Sequence, residues 1–226
     1  MRRPALGLSL VELMVGIAVG LMVVAGASFV AVNQIGDNRR LLLETQVQQD
    51  LRATADMVAR DLRRAGYWGS SESGAWKGDD PAVAANPYMV ISPDVAGPAV
   101  EQIDFSYSSA ASSDEEDNDL DSDREQFGFL LEGGVVKMMV GGAWQSLTDN
   151  NVLEVTRFDI SLQPQAVQQA CFKECVGGGT ACWPNQIVRR YEIFIEGHAR
   201  SDSNVRRSVK ESVRVRNDTV GGACPV

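Results

Sequence analysis

MRRPALGLSLVELMVGIAVGLMVVAGASFVAVNQIG, residues 1–36, reads as a membrane segment with one polar interruption. A short basic leader carrying Arg2 and Arg3 ends at Gly7, and an apolar run begins at Leu8, broken by Glu12. Leu13 to Val32 carries no charge, a stretch long enough to cross a hydrocarbon core of about 30 Å. Arg2 and Arg3 would hold the short N-terminus in the cytoplasm, which puts everything after the span outside the inner membrane. A carboxylate inside such a segment costs roughly 2.5–3.5 kcal/mol near the bilayer centre and less near the interface, so it calls for a partner or a function. Cleavage between Gly7 and Leu8 would supply one. The new α-amino group would lie four residues before Glu12, about 6 Å along a helix, and the carboxylate of one subunit could pair with the amine of a neighbour. Gly16 and Gly20 form a G-x-x-x-G that lets helices approach closely in lipid. A secretory signal cut after Ala25-Gly26-Ala27, before Ser28, is a second reading, although Glu12 sits badly in its apolar region. An uncleaved single-span anchor is a third.

The sequence beyond the span separates these readings. From Asp37 to Ala65 there is no Pro or Gly, and Val47, Leu51, Ala55, Val58 and Leu62 recur at helical spacing as one apolar stripe. Glu44, Gln48, Asp50, Arg52, Arg60 and Arg63 occupy other faces, and Gly66 supplies a stop. The expectation is one helix from about Ser9 to Ala65, membrane half first and amphipathic half second, with the stripe covered by a globular head. A coiled-coil stalk fits poorly, because Arg39, Arg40 and several Gln spoil the heptads.

Residues 67–226 form that head, one domain by length in a chain that is 44% hydrophobic. Alternation marks strands at Ile103–Tyr107, Phe127–Leu131, Val135–Val140, Val152–Leu162, Ile187–Ile195 and Val205–Val215. Turns divide them at Glu132-Gly133-Gly134, Gly141-Gly142, Asp149-Asn150-Asn151 and 197–202. An antiparallel meander laid on the amphipathic half-helix gives an α+β architecture. Residues 67–99 and 108–125 read as loops. The strand at 205–215 has one largely apolar face, while Arg206, Lys210, Arg214 and Arg216 line the other. That is a solvated face, with a DNA-contacting stripe as the lesser reading.

The net charge is −9, and loss of residues 1–7 removes two Arg and no acid, which deepens it by two. Such a balance argues against a general nucleic-acid binder. Cys171, Cys175, Cys182 and Cys224 lie on the oxidising side of the membrane, so disulfides are the default, with three connectivities open. Cys175 with Cys182 around Gly177–Gly179, and Cys171 with Cys224, is the favoured one. A zinc site is the alternative, at an irregular C-x3-C-x6-C spacing. The acidic run 114–125 sets Asp114, Glu116, Asn118 and Glu125 on the ligand places of a calcium loop, but Asp119 stands where the sharp turn needs Gly. A solvated loop is the plainer reading, and no metal or other cofactor is expected. His198 is the single histidine. With no phosphate-cradling motif and no nucleophile and base pair, no enzymatic activity is expected.

Gly7, Leu8, Ser9, Leu10, Val11 and Glu12 resemble the type IV prepilin signal, with Leu8 in place of the usual Phe. Arg63-Arg64-Ala65-Gly66-Tyr67, Gln102–Tyr107, Val155–Ile160 and Val215-Arg216-Asn217 further resemble the PilW-type minor pilins of type IV pilus systems. The resemblance implies a pilin-like fold, with leader 1–7, membrane and assembly half-helix 8–36, amphipathic half-helix 37–66 and β-rich periplasmic head 67–226. It implies cutting by the prepilin peptidase between Gly7 and Leu8, N-methylation at Leu8, and Glu12 as the assembly charge. Partners would be the inner-membrane assembly platform, other minor pilins and the major pilin. The function implied is priming of pilus assembly from the inner membrane and a final place at or near the pilus tip. A J-type minor pseudopilin of a type II secretion system is the nearest alternative. A membrane-anchored tip adhesin using loops 67–99 and 108–125 is the other.

Overall fold

A computed structural model describes residues 9–74, 84–110, 115–121 and 123–225. Its one α-helix among them, α1, runs Leu10–Arg64. By internal contacts the chain divides into Met1–Thr45 and Gln46–Val226.

In the first unit the described residues are helical from Leu10 onward, built from Leu, Met, Val and Ala with no Pro to break the turn. Its most apolar window has a mean hydropathy of 2.4, and none of it is buried. Arg40 and Glu44 close an exposed i, i+4 ion pair at 3.1 Å.

In the second unit the stripe read from the sequence faces inward: Val47, Leu51, Ala55, Val58 and Leu62 are all essentially inaccessible, joined by Thr54 and Ala59. Arg63 and Arg64 occupy the last turn, where cations complement the helix dipole. Gly66 then takes φ +75°, the left-handed conformation that ends helices and that glycine adopts without steric cost.

Among the described residues, nine strands form two antiparallel sheets. The first, in the order β1 (Ile91–Ser92), β2 (Gln102–Ser106), β3 (Gln126–Glu132), β4 (Val135–Val140) and β5 (Ala143–Ser146), is a meander. Two-residue Gly-Gly turns close its β3–β4 and β4–β5 hairpins, all four glycines at positive φ, as tight hairpins with the native twist require. The second sheet contains β6 (Leu153–Gln168), β7 (Asn185–Ala199), β8 (Asp202–Arg214) and β9 (Thr219–Gly221). β6 pairs along the whole of β7, while β8 and β9 share its other edge in tandem.

The single meander expected from the sequence is therefore two sheets. The break falls after β5, where the Thr148 hydroxyl accepts the Val136 N–H at 3.1 Å and the chain leaves the ladder. The sheets remain stitched by reciprocal Val100–Ile160 bonds of 2.9 Å and by Val155 N–H donating to Gly134 O. The turn expected over 197–202 shrinks to Arg200-Ser201, since Ala199 pairs with Asp202. Gly197 instead lies in β7, beside the register shift at Val155/Arg157, where a methyl would stand 2.8 Å from Glu154 O. Its role is close approach of two backbones. The core between helix and sheets holds Phe129, Phe158, Ile160, Ile193 and Ile195 at zero exposure.

Cys171 bonds Cys224 and Cys175 bonds Cys182. The first tie reaches across 53 residues to the end of the chain. The second closes a short loop in the β6–β7 connection, in which Phe172 and Val176 are fully exposed.

Candidate functional site

Two regions gather the residues singled out in the sequence. The first is the start of α1. Ser9 O accepts the Leu13 N–H at 3.1 Å, and Glu12 falls in the first helical turn with its side chain exposed. Methyl groups placed on Gly16 or Gly20 would meet nothing within 4 Å. That segment thus presents a continuous apolar surface with one carboxylate at its beginning. Gly7 and Leu8 lie outside the described residues.

The second region is the junction between α1 and the head, where three of the short motifs meet. Gly66 N–H donates to Ser106 O at 2.7 Å, while Gly66 O accepts the side-chain amides of Asn86 and Asn217. Ser108 N–H donates to Tyr67 O at 2.9 Å. The Arg64 guanidinium lies 4.1 Å from the centre of the Tyr107 ring, which stacks on Phe127 at 3.9 Å. Arg189, buried, donates from Nη2 to Asn217 O at 2.6 Å, so the segment after β8 is held from two sides. Burial lowers the Arg189 pKa and pushes Tyr191 up to about 12. The Tyr191 hydroxyl is satisfied by Pro93 O at 2.7 Å. Val155–Ile160, the remaining motif, forms the bulged edge of β6 and supplies Phe158 and Ile160 to the core.

The acidic loop is built differently from a calcium loop. Glu116 accepts the Tyr88 hydroxyl at 2.6 Å, Gly69 N–H at 2.9 Å and Asn118 N–H at 3.1 Å. Burial would raise its carboxyl pKa, but the hydroxyls of Ser108 and Tyr88 and those two amides outweigh it and hold it below the ordinary range. Glu125, buried, accepts Ser109 N–H at 2.8 Å and Asp121 N–H at 3.1 Å. Both carboxylates are thus turned to protein donors, and Asn118, at φ +59°, accepts the Trp68 indole N–H at 2.7 Å. Asp114 lies outside the described residues. Among those described, no three His, Cys, Asp or Glu are grouped to hold a metal. Sequence reading missed this anchoring role. The acids were visible, but their donors come from Gly69 and Tyr88, far away in the chain.

His198 sits in β7, not in a turn, with Nδ1 3.2 Å from Ala199 O. The basic face of β8 is matched by acids: Arg206 with Glu196 at 3.2 Å, Lys210 with Glu192 at 3.1 Å and Arg214 with Asp218 at 2.6 Å. Such pairing lowers the positive potential a nucleic acid would need.

No curated protein and no solved structure shows a significant match to the chain. The family model of prepilin peptidase-dependent protein B matches residues 40–215, from the second half of α1 to just past β8. That covers more than three quarters of the 226 residues, including Gly66, the whole first sheet and β6 to β8 of the second. With its own pilin-like architecture of one long N-terminal apolar helix and antiparallel β-sheets, the chain therefore belongs to the prepilin peptidase-dependent protein B family, which makes it a type IV pilus-related protein.

Proposed function

We propose that this chain is a minor pilin of the PilW type that primes type IV pilus assembly and stays at or near the tip. The observation that carries the reading is the first half of α1, wholly exposed and apolar, with a single carboxylate in its opening turn. The prepilin peptidase cuts between Gly7 and Leu8, Leu8 is N-methylated, and the protein waits in the inner membrane with its head in the periplasm. The assembly platform then brings it against other minor pilins and the major pilin. Leaving lipid is uphill for so much apolar surface. Glu12, uncomfortable in that medium, gains a partner in a neighbour's α-amine, and this lowers the barrier to the first layers of a filament. Gly16 and Gly20 let the helices close up.

The test has two readouts. Mass spectrometry of the mature protein should find N-methyl-Leu8 at its start, and a terminus at Ser28 would overturn the reading. Glu12→Val should be processed and inserted normally, because its helix is more apolar, yet be depleted from sheared pili. Normal incorporation of that variant would show that the charge has no assembly role.

A further inference from the structure

The second sheet ends on a strand edge that nothing closes among the described residues. Val215 N–H donates to Arg189 O at 3.0 Å, so the odd positions of β8 turn their backbone groups towards β7. The even positions, Arg206, Ser208, Lys210, Ser212 and Arg214, therefore turn theirs outward, because direction alternates along an antiparallel pair. All five residues are exposed. The Arg207 side chain covers one of these groups, donating to Arg206 O at 2.8 Å. From Ser208 to Arg214 the outward N–H and C=O groups meet no hydrogen-bond partner among the described residues.

The other strand edges are short or guarded. β1, β5 and β9 have two, four and three residues. On β6 the outward series starts at Ile160, which exchanges two bonds with Val100, and runs through Leu162 to Pro164, whose ring has no N–H to offer. The bulge at Val155/Arg157 interrupts it on the other side. Proline and bulges blunt an edge, and β8 carries neither between Arg206 and Arg214. It uses charge instead. Arg206, Lys210 and Arg214 recur every fourth residue along its solvent face, each more than half exposed although paired with an acid. An antiparallel second copy centred on Lys210 would set Lys210 against its equal and Arg206 against Arg214, an arrangement that like charges penalise. The opposite face offers half-buried Val209 and buried Val213.

We propose that β8 is a docking edge for an extended segment of a partner protein, which adds as an antiparallel strand with carboxylates opposite Arg206, Lys210 and Arg214. The open backbone groups supply affinity and require an extended occupant, while the row of cations selects its sequence. Small hydroxylated residues suit the places opposite Ser208 and Ser212, and apolar ones the alternate places beside Val209 and Val213. Such docking requires no particular place in a filament.

The experiment uses the full chain in detergent micelles and follows amide hydrogen exchange by NMR. The probe is the blocked nonapeptide acetyl-Glu-Val-Thr-Val-Glu-Val-Thr-Val-Glu-amide, N-methylated at its two middle valines so that only one of its edges can pair. The amides of Ser208, Lys210 and Ser212 exchange freely at the open edge and should slow by about tenfold or more at saturating peptide. Moving the methyl groups to the two threonines turns the blocked edge towards β8 and should abolish the effect. Lysine in place of the three glutamates should weaken binding by about tenfold or more. Ser212→Pro removes an outward donor where an edge strand tolerates proline, and should weaken binding while leaving the unfolding transition in place. No slowing with the first peptide, or equal slowing with the threonine-methylated one, overturns the docking edge, and this comparison needs no protein variant. Unaltered binding to folded Ser212→Pro overturns it too. Equal binding of the lysine peptide refutes an acidic partner. Slowing of the same amides that grows with protein concentration and needs no peptide would make a second copy the occupant and equally refute the proposal.

Discussion

Replacing Glu116 with glutamine isolates what one carboxylate does for the head. The two oxygens divide their donors, with Gly69 N–H on Oε2 and both the Tyr88 hydroxyl and Asn118 N–H on Oε1. Glutamine is nearly the same shape but replaces one acceptor by an NH₂ group. If its oxygen stays with Tyr88 and Asn118, the amide nitrogen confronts Gly69 N–H, and a backbone donor loses its partner. If it flips, the Tyr88 hydroxyl can rotate to accept, but Asn118 N–H is then left opposed. Either way one donor is unsatisfied, at about 1–3 kcal/mol. Glu116 is only partly buried, which places the cost in the lower half of that range. The folded-state pKa of Glu116 is depressed, so its contribution is fully present above the unfolded value and is lost as pH falls through the folded one. The gap between native and Glu116→Gln proteins should therefore be about 1–2 kcal/mol at pH 7 and shrink steadily in acid. Guanidinium unfolding of the full chain in detergent measures it. Trp68, 6% exposed and bonded to Asn118, makes indole fluorescence a local reporter. A difference near zero at pH 7, or one that does not change with pH, would refute the assignment of Glu116 as an ionised anchor.

Leu62→Ala, which empties a fully inaccessible site in the stripe, should cost the head about 2–5 kcal/mol in the same unfolding assay. Leu42→Ala, at a position 71% exposed, should leave that transition in place. Loss of Cys171–Cys224 should destabilise more than loss of Cys175–Cys182, about 4 against about 2 kcal/mol from loops of 53 and 7 residues, as read by denaturation of the paired Ser variants. Quantitative blotting of sheared pili should find few copies of this chain per filament, and its deletion should sharply reduce piliation while the major pilin accumulates in the membrane. Abundance equal to the major subunit would contradict the minor-pilin proposal.

Helix and strand content was legible because both depend on local periodicity. The positions from Val47 to Leu62 recur every three or four residues, and every one is buried. In β8 the alternation of Val205 and Val213 with Arg206 and Arg214 places each side chain on the expected face. What escaped the sequence depends on distant partners. Ile91–Ser92 and Thr219–Gly221 are too short to carry a pattern and are strands only because β2 and β7 present open edges to them. The split into two sheets comes where Thr148 caps Val136, a contact between residues twelve apart that strand periodicity does not reveal. Glu116 and Glu125 resembled metal ligands because composition shows charge but not the N–H groups that surround it. Glu12, Gly16 and Gly20 could be named at once, since the assembly role proposed for them rests on spacing along one helix.

The junction at Gly66 also determines how mechanical force would enter the head. A pull along α1 is transmitted through Gly66 to Ser106 and Asn217, and it tries to slide the stripe Val47–Leu62 lengthwise over the sheets. Both disulfides lie off that route, since they tie the β6–β7 connection to itself and to the C-terminus. Resistance to tension then resides in interdigitated apolar side chains that must all shear together, with the unfolding rate setting the rupture force. Heat and traction would thus probe different parts of the molecule: reducing the disulfides softens the head against one and leaves its grip on the helix unchanged against the other.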